Sequence, residues 1–254
     1  MTTYNRNEIK SIPVKRVSTG YKELDWLYGN TQNNWGMPMR TISLWAGESG
    51  TGKSRTAVSI CNKLASNGYR ILYFQNESDL GSFSKKIEYD SFRLSDSKHL
   101  GEMIKDIKQD RPHIVVVDSV NMIKEFKSGT ASIIESIISE FQDICGTIGS
   151  HIILLGQLNQ DGSIKGSTAL PHLVDIALNI RKSTTDGLFV IEVGIKHRFG
   201  RTGKEFKSVW EHTDNGVKCI SNSRELDSRW KSTTGIRPNI KRVAPKRRFS
   251  FFGK

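Results

Sequence analysis

The sequence predicts an α/β fold with a mostly parallel central sheet flanked by helices and with β-hairpins at its C-terminal end. Short apolar runs alternate with helical stretches between residues 41 and 155, which is the pattern of parallel strands covered on both faces. The first of these runs leads into Gly47-Glu48-Ser49-Gly50-Thr51-Gly52-Lys53-Ser54, a match to the phosphate-loop pattern G-x-x-x-x-G-K-[ST] in its required strand-to-helix setting. After Leu170 the texture changes to alternating segments separated by turn residues, as in antiparallel hairpins.

Taken in order, residues 1–16 read as a polar, basic N-terminal arm in which Ile9, Ile12 and Val14 are isolated apolar points. Residues 17–221 read as the folded core. Within it, Tyr21–Tyr28 predicts a short helix ended by Gly29, and Thr41–Ala46 the first strand of the sheet. Arg55–Ser66 places Ala57, Val58, Ile60, Cys61, Leu64 and Ala65 at helical spacing. Further strands follow at Arg70–Gln75, Ile114–Val117 and Ser150–Leu155, with helices near 98–109 and 131–147. Asp175–Ile180, Gly187–Ile195 and Val209–Ile220 predict the terminal strands, the last broken by the turn sequence Thr213-Asp214-Asn215-Gly216. From residue 222 apolar periodicity is lost. Residues 224–254 hold ten Lys/Arg against two acidic residues, a net of +8, and predict a disordered basic tail.

The chain has 254 residues and a formal net charge of +12. That excess suggests a polyanionic partner, with nucleic acid first for a nucleotide-dependent protein. Cys61, Cys145 and Cys219 form no C-x-x-C pair and read as small apolar residues in a reducing, cytoplasmic setting. The N-terminus lacks an apolar signal core and no apolar run is long enough to span a bilayer, so no membrane role is expected. The six histidines form no H-E-x-x-H and are expected to be structural or on the surface.

The glycines of the loop let successive backbone N–H groups face a phosphate, helped by the positive end of the following helix. The expected nucleotide-binding set is Gly47, Glu48, Ser49, Gly50, Thr51, Gly52, Lys53, Ser54 and Arg55. Lys53 reaches the β- and γ-phosphates as a point charge, and Ser54 offers its hydroxyl to Mg²⁺. Hydrolysis needs more than a cradle. Asp118 closes an apolar strand and is followed by Ser119, the position of a carboxylate that holds Mg²⁺ at a strand's C-terminal edge. Glu77 follows the second strand, where it can polarise the attacking water or simply cap a helix. Gln157 follows the fourth strand and can sense the γ-phosphate through a neutral side chain.

Several segments together resemble the RadA/Sms family, a branch of the RecA-like ATPases: Arg16-Val17-Ser18-Thr19-Gly20 with Glu23-Leu24-Asp25, the phosphate loop, Val117-Asp118-Ser119, Gly156-Gln157, Asp161-Gly162, Gly166, His172-Leu173-Val174-Asp175 and Lys196-His197-Arg198-Phe199-Gly200. The last is similar to the family's K-N-R-F-G motif. Gln157-Leu158-Asn159 and the stretch from Lys196 to Gly203 are also similar to DnaB replicative helicases. The resemblance implies a ring-forming ATPase that uses ATP and Mg²⁺ and is stimulated by single-stranded DNA. By the same resemblance Lys196 and Arg198 act in trans, as lysine and arginine fingers in the neighbouring subunit's site.

In this architecture two loops can face DNA, Lys124–Thr130 and Asn159–Gly166, with Lys124, Lys127 and Lys165 as the phosphate contacts. The zinc ribbon and the protease-like domain of RadA/Sms are missing, and the turn around Glu77 is shorter than the family's G-E-E-S. The branch-migration role is therefore not carried over, and a stand-alone motor core is the form expected in a virus or mobile element. The expectation is an ATP-dependent motor on single-stranded DNA, a homo-oligomer and in particular a six-membered ring. The alternative is a nucleotide-switched single-strand binding or annealing protein without unwinding. The aromatic-basic end Lys246–Lys254 is read as a DNA arm or as a docking peptide for a replication or recombination protein.

Overall fold

Strand β1, Thr41–Gly47, is buried at all seven positions, as a run of this kind must be when both faces of its sheet are covered. It lies near the middle of a nine-stranded sheet in a computed structural model that describes residues 14–31, 34–75, 77, 79–127, 129–159, 162–200, 202–203, 206–214 and 216–222. The other strands are β2 (Ile71–Gln75), β3 (Phe92–Ser95), β4 (Ile114–Asp118), β5 (His151–Gln157), β6 (Ile176–Lys182), β7 (Leu188–His197), β8 (Lys207–Thr213) and β9 (Gly216–Asn222). Their spatial order is β9-β8-β7-β6-β1-β5-β4-β2-β3. The six from β6 to β3 run parallel, while β7, β8 and β9 continue the sheet antiparallel. Thr213 pairs with Gly216 across the last turn, where a hairpin was expected.

Helices α1 (Lys22–Leu27) and α2 (Lys53–Ser66) contribute to the core on one face. Helices α4 (Leu100–Asp110) and α6 (Ala131–Ile148) fill the other together with the short helices α5 (Lys124–Lys127) and α7 (Leu170–Leu173), while the short helix α3 (Leu80–Ser84) adds Phe83 to the α2 side. The strands divide their side chains accordingly. In β4, Ile114 and Val116 join the α2 side, whereas Val115 and Val117 join the α4/α6 side.

The N-terminal boundary differs from the one drawn on composition. Arg16 was assigned to the arm, but Arg16–Val17 is a short strand antiparallel to Met37–Pro38. Its buried guanidinium donates to the carbonyls of Tyr28 (3.1 Å), Gly29 (3.1 Å) and Gly36 (2.7 Å). The Ser18-Thr19-Gly20…Asp25 segment has an equally local explanation. Asp25, buried on α1, accepts from the Ser18 hydroxyl, the Thr19 amide and the Thr19 hydroxyl at 2.5–2.7 Å. Helix α3 and strand β3 were not expected.

Under the start of the sheet runs a closed polar chain. The Trp45 indole donates to the Tyr28 hydroxyl (2.9 Å), which contacts Ser43 Oγ (3.1 Å), which in turn contacts His151 Nε2 (2.9 Å). His151 Nδ1 lies 2.9 Å from the Pro38 carbonyl. Since that oxygen only accepts, the proton sits on Nδ1 and the Ser43 hydroxyl donates to Nε2. The ring is wholly buried, and burial drives its pKa down to about 4.

Candidate nucleotide site

All the parallel strands point their C-terminal ends the same way, so the sheet collects the expected chemistry along one edge. The phosphate loop leaves β1 and enters α2 at Gly52, whose φ of +84° is a left-handed conformation that glycine adopts without steric cost. Space requires glycine there as well, since a Cβ would lie 2.1 Å from His212 Nε2. His212 comes from β8 and stacks on Phe189 at 4.3 Å. Arg55 donates to the Thr213 carbonyl at 2.9 Å. The antiparallel extension of the sheet therefore supports the phosphate loop from outside, a contact that spacing along the chain does not reveal.

Lys53 curls over the loop and donates from Nζ to the carbonyls of Gly47 and Glu48, both at 2.8 Å. Burial lowers its pKa, opposed by the carboxylates of Asp118 and Glu77. Asp118, at the end of β4, is buried and accepts from the Tyr73 hydroxyl at 2.7 Å. Burial raises its carboxyl above the ordinary value, while hydrogen bonds from Tyr73 and Ser54 pull it back. The Ser54 hydroxyl and the Asp118 carboxylate are thus neighbours, the oxygen donor set that suits a magnesium ion carrying several waters. The loop, with its glycine cradle, and this pair fit a Mg²⁺-nucleoside triphosphate.

Glu77 lies just beyond β2, and its Oε1 accepts from the Ser119 hydroxyl at 2.6 Å. Gln157 ends β5 directly opposite Gly47 in the sheet register. Together with Glu48, Ser49 and Lys165 it borders one shallow cavity. Asn121 ties this corner together, accepting from the Gln157 amide at 3.2 Å and donating to the Lys165 carbonyl. Lys53, Ser54, Glu77, Asp118 and Gln157 are therefore brought together, with Tyr73, Ser119 and Asn121 added by the fold.

The expected DNA contacts divide. Lys165 is exposed in the segment after β5, beside Glu48 and Ser49. Lys124 and Lys127 were expected in a loop but lie on the helical turn α5, held because Phe126 is buried beneath it. Lys124 Nζ is engaged by His99 Nε2 at 2.7 Å. Gln160 and Asp161 of the second loop, and Ser128 of the first, lie outside the described residues.

Lys196 and Arg198 are not brought to their own phosphate loop. They lie at the end of β7, which runs antiparallel to β6 and so finishes where β1 begins. Arg198 pairs with Asp175 at 2.7 Å, and Asp175 Oδ2 accepts from the amide of Ile42 at 2.9 Å. Lys196 donates to the His172 carbonyl. From Ile42 to Gly47 is five strand residues, roughly 17 Å. His197, between the two cations, is buried and bonds the Leu27 carbonyl at 2.8 Å.

Comparison with known proteins bears on the fold and on the nucleotide-binding class. The family described as CobQ/CobB/MinD/ParA nucleotide binding domain matches residues 42–151, from β1 to the start of β5. The DNA repair protein RadA of Mycolicibacterium smegmatis is 28% identical over 225 residues, covering 84% of this chain and 47% of the relative. RadA of Aquifex aeolicus is 27% identical over 215 residues, covering 81% and 46%. The chain thus spans about half the length of the curated relatives it matches. The crystal structure of a KaiC-like protein from Pyrococcus horikoshii OT3 superposes with a TM-score of 0.64 at 18% identity, over 82% of this chain and all of that one. The resemblance to RadA extends along most of the chain, and the fold is the RecA-like P-loop fold. No helix among the described residues is long and apolar enough to cross a membrane.

Proposed function

We propose that the chain is an ATP- and Mg²⁺-dependent motor on single-stranded DNA, hydrolysing ATP between the subunits of a homo-oligomeric, six-membered ring. The observation that carries this reading is the placement of the phosphate loop and the Lys196/Arg198 pair at opposite ends of one sheet. A cation so placed meets a phosphate loop only on another subunit, in a head-to-tail contact of the kind that forms a ring when the rotation between subunits closes. Supplying the guanidinium fork from a neighbour makes hydrolysis depend on subunit arrangement.

Within one subunit Lys53 and the loop amides hold the phosphates, and Ser54 with Asp118 holds the ion. Bound there, Mg²⁺ would neutralise charge on the β- and γ-phosphates. Glu77, held by Ser119, orients and deprotonates the attacking water. Gln157 lies one strand away from Gly47 and couples the γ-phosphate position to Asn159–Gly166, whose Lys165 contacts the DNA backbone together with Lys124 and Lys127. The DNA assignment draws support from the name of the relatives, DNA repair protein RadA, and from the net charge of +12. Of the basic tail, read as 222–254, residues 223–254 lie outside the described residues; its proposed role is a DNA arm or a docking segment for a replication or recombination protein.

The test is unwinding of a forked duplex with ATP, run beside single-strand-stimulated phosphate release. Strand separation that is lost in Lys53→Ala supports the motor. Strand annealing with slow, DNA-insensitive turnover replaces it with the nucleotide-switched binding protein.

A further inference from the structure

At the N-terminal ends of the parallel strands, on the opposite edge from the phosphate loop, lies a second cavity of about 700 Å³. Lys15, Arg40, Arg70, Arg111 and His113 border it, and no acidic residue among the described residues does. The basic residues come from the entrances to three neighbouring parts of the sheet. Arg40 precedes β1, Arg70 precedes β2, and Arg111 with His113 precedes β4. The nearest acid in sequence, Asp110, is engaged by Arg93 at 3.0 Å.

Two of these arginines occupy positions that backbone chemistry reserves for glycine. Arg40 has φ +64° and Arg111 φ +44°, the only positive-φ residues other than glycine among the described residues. Arg111 is the C-cap of α4, where glycine is the ordinary choice. A bulky side chain in the left-handed region is an outlier that the surrounding structure must hold in place. That both outliers are arginines and both border the same acid-free cavity is the observation that points to a ligand. Their neighbours are fixed: Arg70 donates from its amide to His113 Nδ1 (3.0 Å) and from Nη2 to the Arg111 carbonyl (2.7 Å). With Nδ1 accepting, neutral His113 carries its proton on Nε2 as a further donor. Burial lowers the His113 pKa, with Arg70 and Lys15 adding to the effect, a sign of the positive field in this corner.

We propose that this edge is a second nucleic-acid contact, binding the phosphodiester backbone outside the loops that follow the sensor strands. Arg40 and Arg70 enter through strands three places apart in the sheet, about 14 Å at the usual strand spacing. That is too wide for one phosphate, and calls for a ligand that carries several phosphates in succession, as a nucleic-acid backbone does. Contacts of this kind give affinity and register without sequence preference.

The conformation of the two arginines supplies a clean test. Arg40→Gly with Arg111→Gly removes two charges while placing glycine where φ is positive, so thermal unfolding should stay at or near the wild-type midpoint. Binding of a labelled 30-nucleotide single strand and of a 30-base-pair duplex is then followed by anisotropy across a salt series. The slope of log K against log[salt] should become shallower by about 1.4 for the single strand or about 1.8 for the duplex. The two probes identify which form the edge takes. Arg40→Lys with Arg111→Lys should keep the slope. Unchanged affinity and slope for both probes in the glycine variant overturns the proposal. So does a variant that alters assembly in sedimentation while its slope stays at the wild-type value, which makes the edge a subunit contact instead.

Discussion

Arg198 and Asp175 form a 2.7 Å ion pair at the end of the central sheet remote from the phosphate loop. The pair is asymmetric, with Asp175 buried and the arginine side chain 58% exposed. The buried carboxylate is fixed by the Ile42 amide, so Asp175 anchors an arginine whose guanidinium faces solvent. Arg198→Ala should leave the nucleotide affinity of isolated subunits near wild type but slow hydrolysis by the assembly on the order of 10³-fold or more. Mixing decides whether it acts in trans. Arg198→Ala and Lys53→Ala subunits, each inactive alone, should recover part of the activity together, because some interfaces join an intact loop to an intact arginine. No recovery in demonstrably mixed oligomers would argue against a finger in trans. Arg198→Lys keeps a cation beside Asp175 without the fork, and should fold like wild type while hydrolysing slowly.

The 2.6 Å hydrogen bond from Ser119 to Glu77 makes a coupled prediction. Glu77→Gln keeps the shape of the side chain but removes the base, so turnover should fall by about 10²–10⁴ while ATP still binds. Ser119→Ala should give a smaller fall, since it only releases the carboxylate from its position. The double variant should be no slower than Glu77→Gln alone, because the serine acts through the glutamate. Additive losses would show that Ser119 has a separate role, and near-normal turnover in Glu77→Gln would remove that residue from the mechanism.

His151 gives the fold a pH dependence whose sign follows from its burial. Its folded pKa is about 4, against 6.5 for the free side chain, so between these values the unfolded chain binds the extra proton. The contribution is fully present above pH 6.5 and is lost as the pH falls toward 4, reaching about 3 kcal/mol. His197 and His212 are lowered too and act in the same direction. Asp118, raised by burial, acts in the opposite sense, losing its contribution as the pH rises above 3.8 through its folded value. Urea unfolding between pH 4.5 and 7.5 should show stability rising with pH. His151→Gln should have a lower plateau and a flatter slope; an unchanged slope would assign the dependence to other groups.

The residues legible in the sequence are those whose roles are tied to the end of a strand. Gly47–Ser54, Asp118 and Gln157 each follow an apolar run, and a parallel sheet aligns such ends without further information. Tyr73, Ser119, Asn121 and His212 were not legible, because each acts across strands that only the sheet order makes adjacent. Strand β3 was hidden for a different reason. It is a four-residue edge strand in which only Phe92 is buried, so it lacks the apolar run that marked its neighbours. The left-handed backbones of Arg40 and Arg111 leave no trace in composition, since arginine, unlike glycine or asparagine, does not signal such a backbone.

The tail, which lies outside the described residues, carries the final prediction. Lys246-Arg247-Arg248 is followed by Phe249, Phe251 and Phe252 at the end of an otherwise polar segment. A counterion tether alone has no use for phenylalanine. Deleting residues 241–254 should leave basal ATPase intact, since every proposed catalytic group precedes residue 200. DNA affinity should fall and its salt slope should become shallower as phosphate contacts are lost. Changing the three phenylalanines to Ala separates the two uses of the tail. Stacking on unpaired bases, at ~1–3 kcal/mol per base, predicts weaker single-strand binding with a nearly unchanged slope. If the triple variant binds DNA normally and loses a protein partner, the aromatic end is a docking peptide. If the deletion alters neither affinity nor slope, the tail is not a DNA arm, and the charge of the core must account for binding by itself.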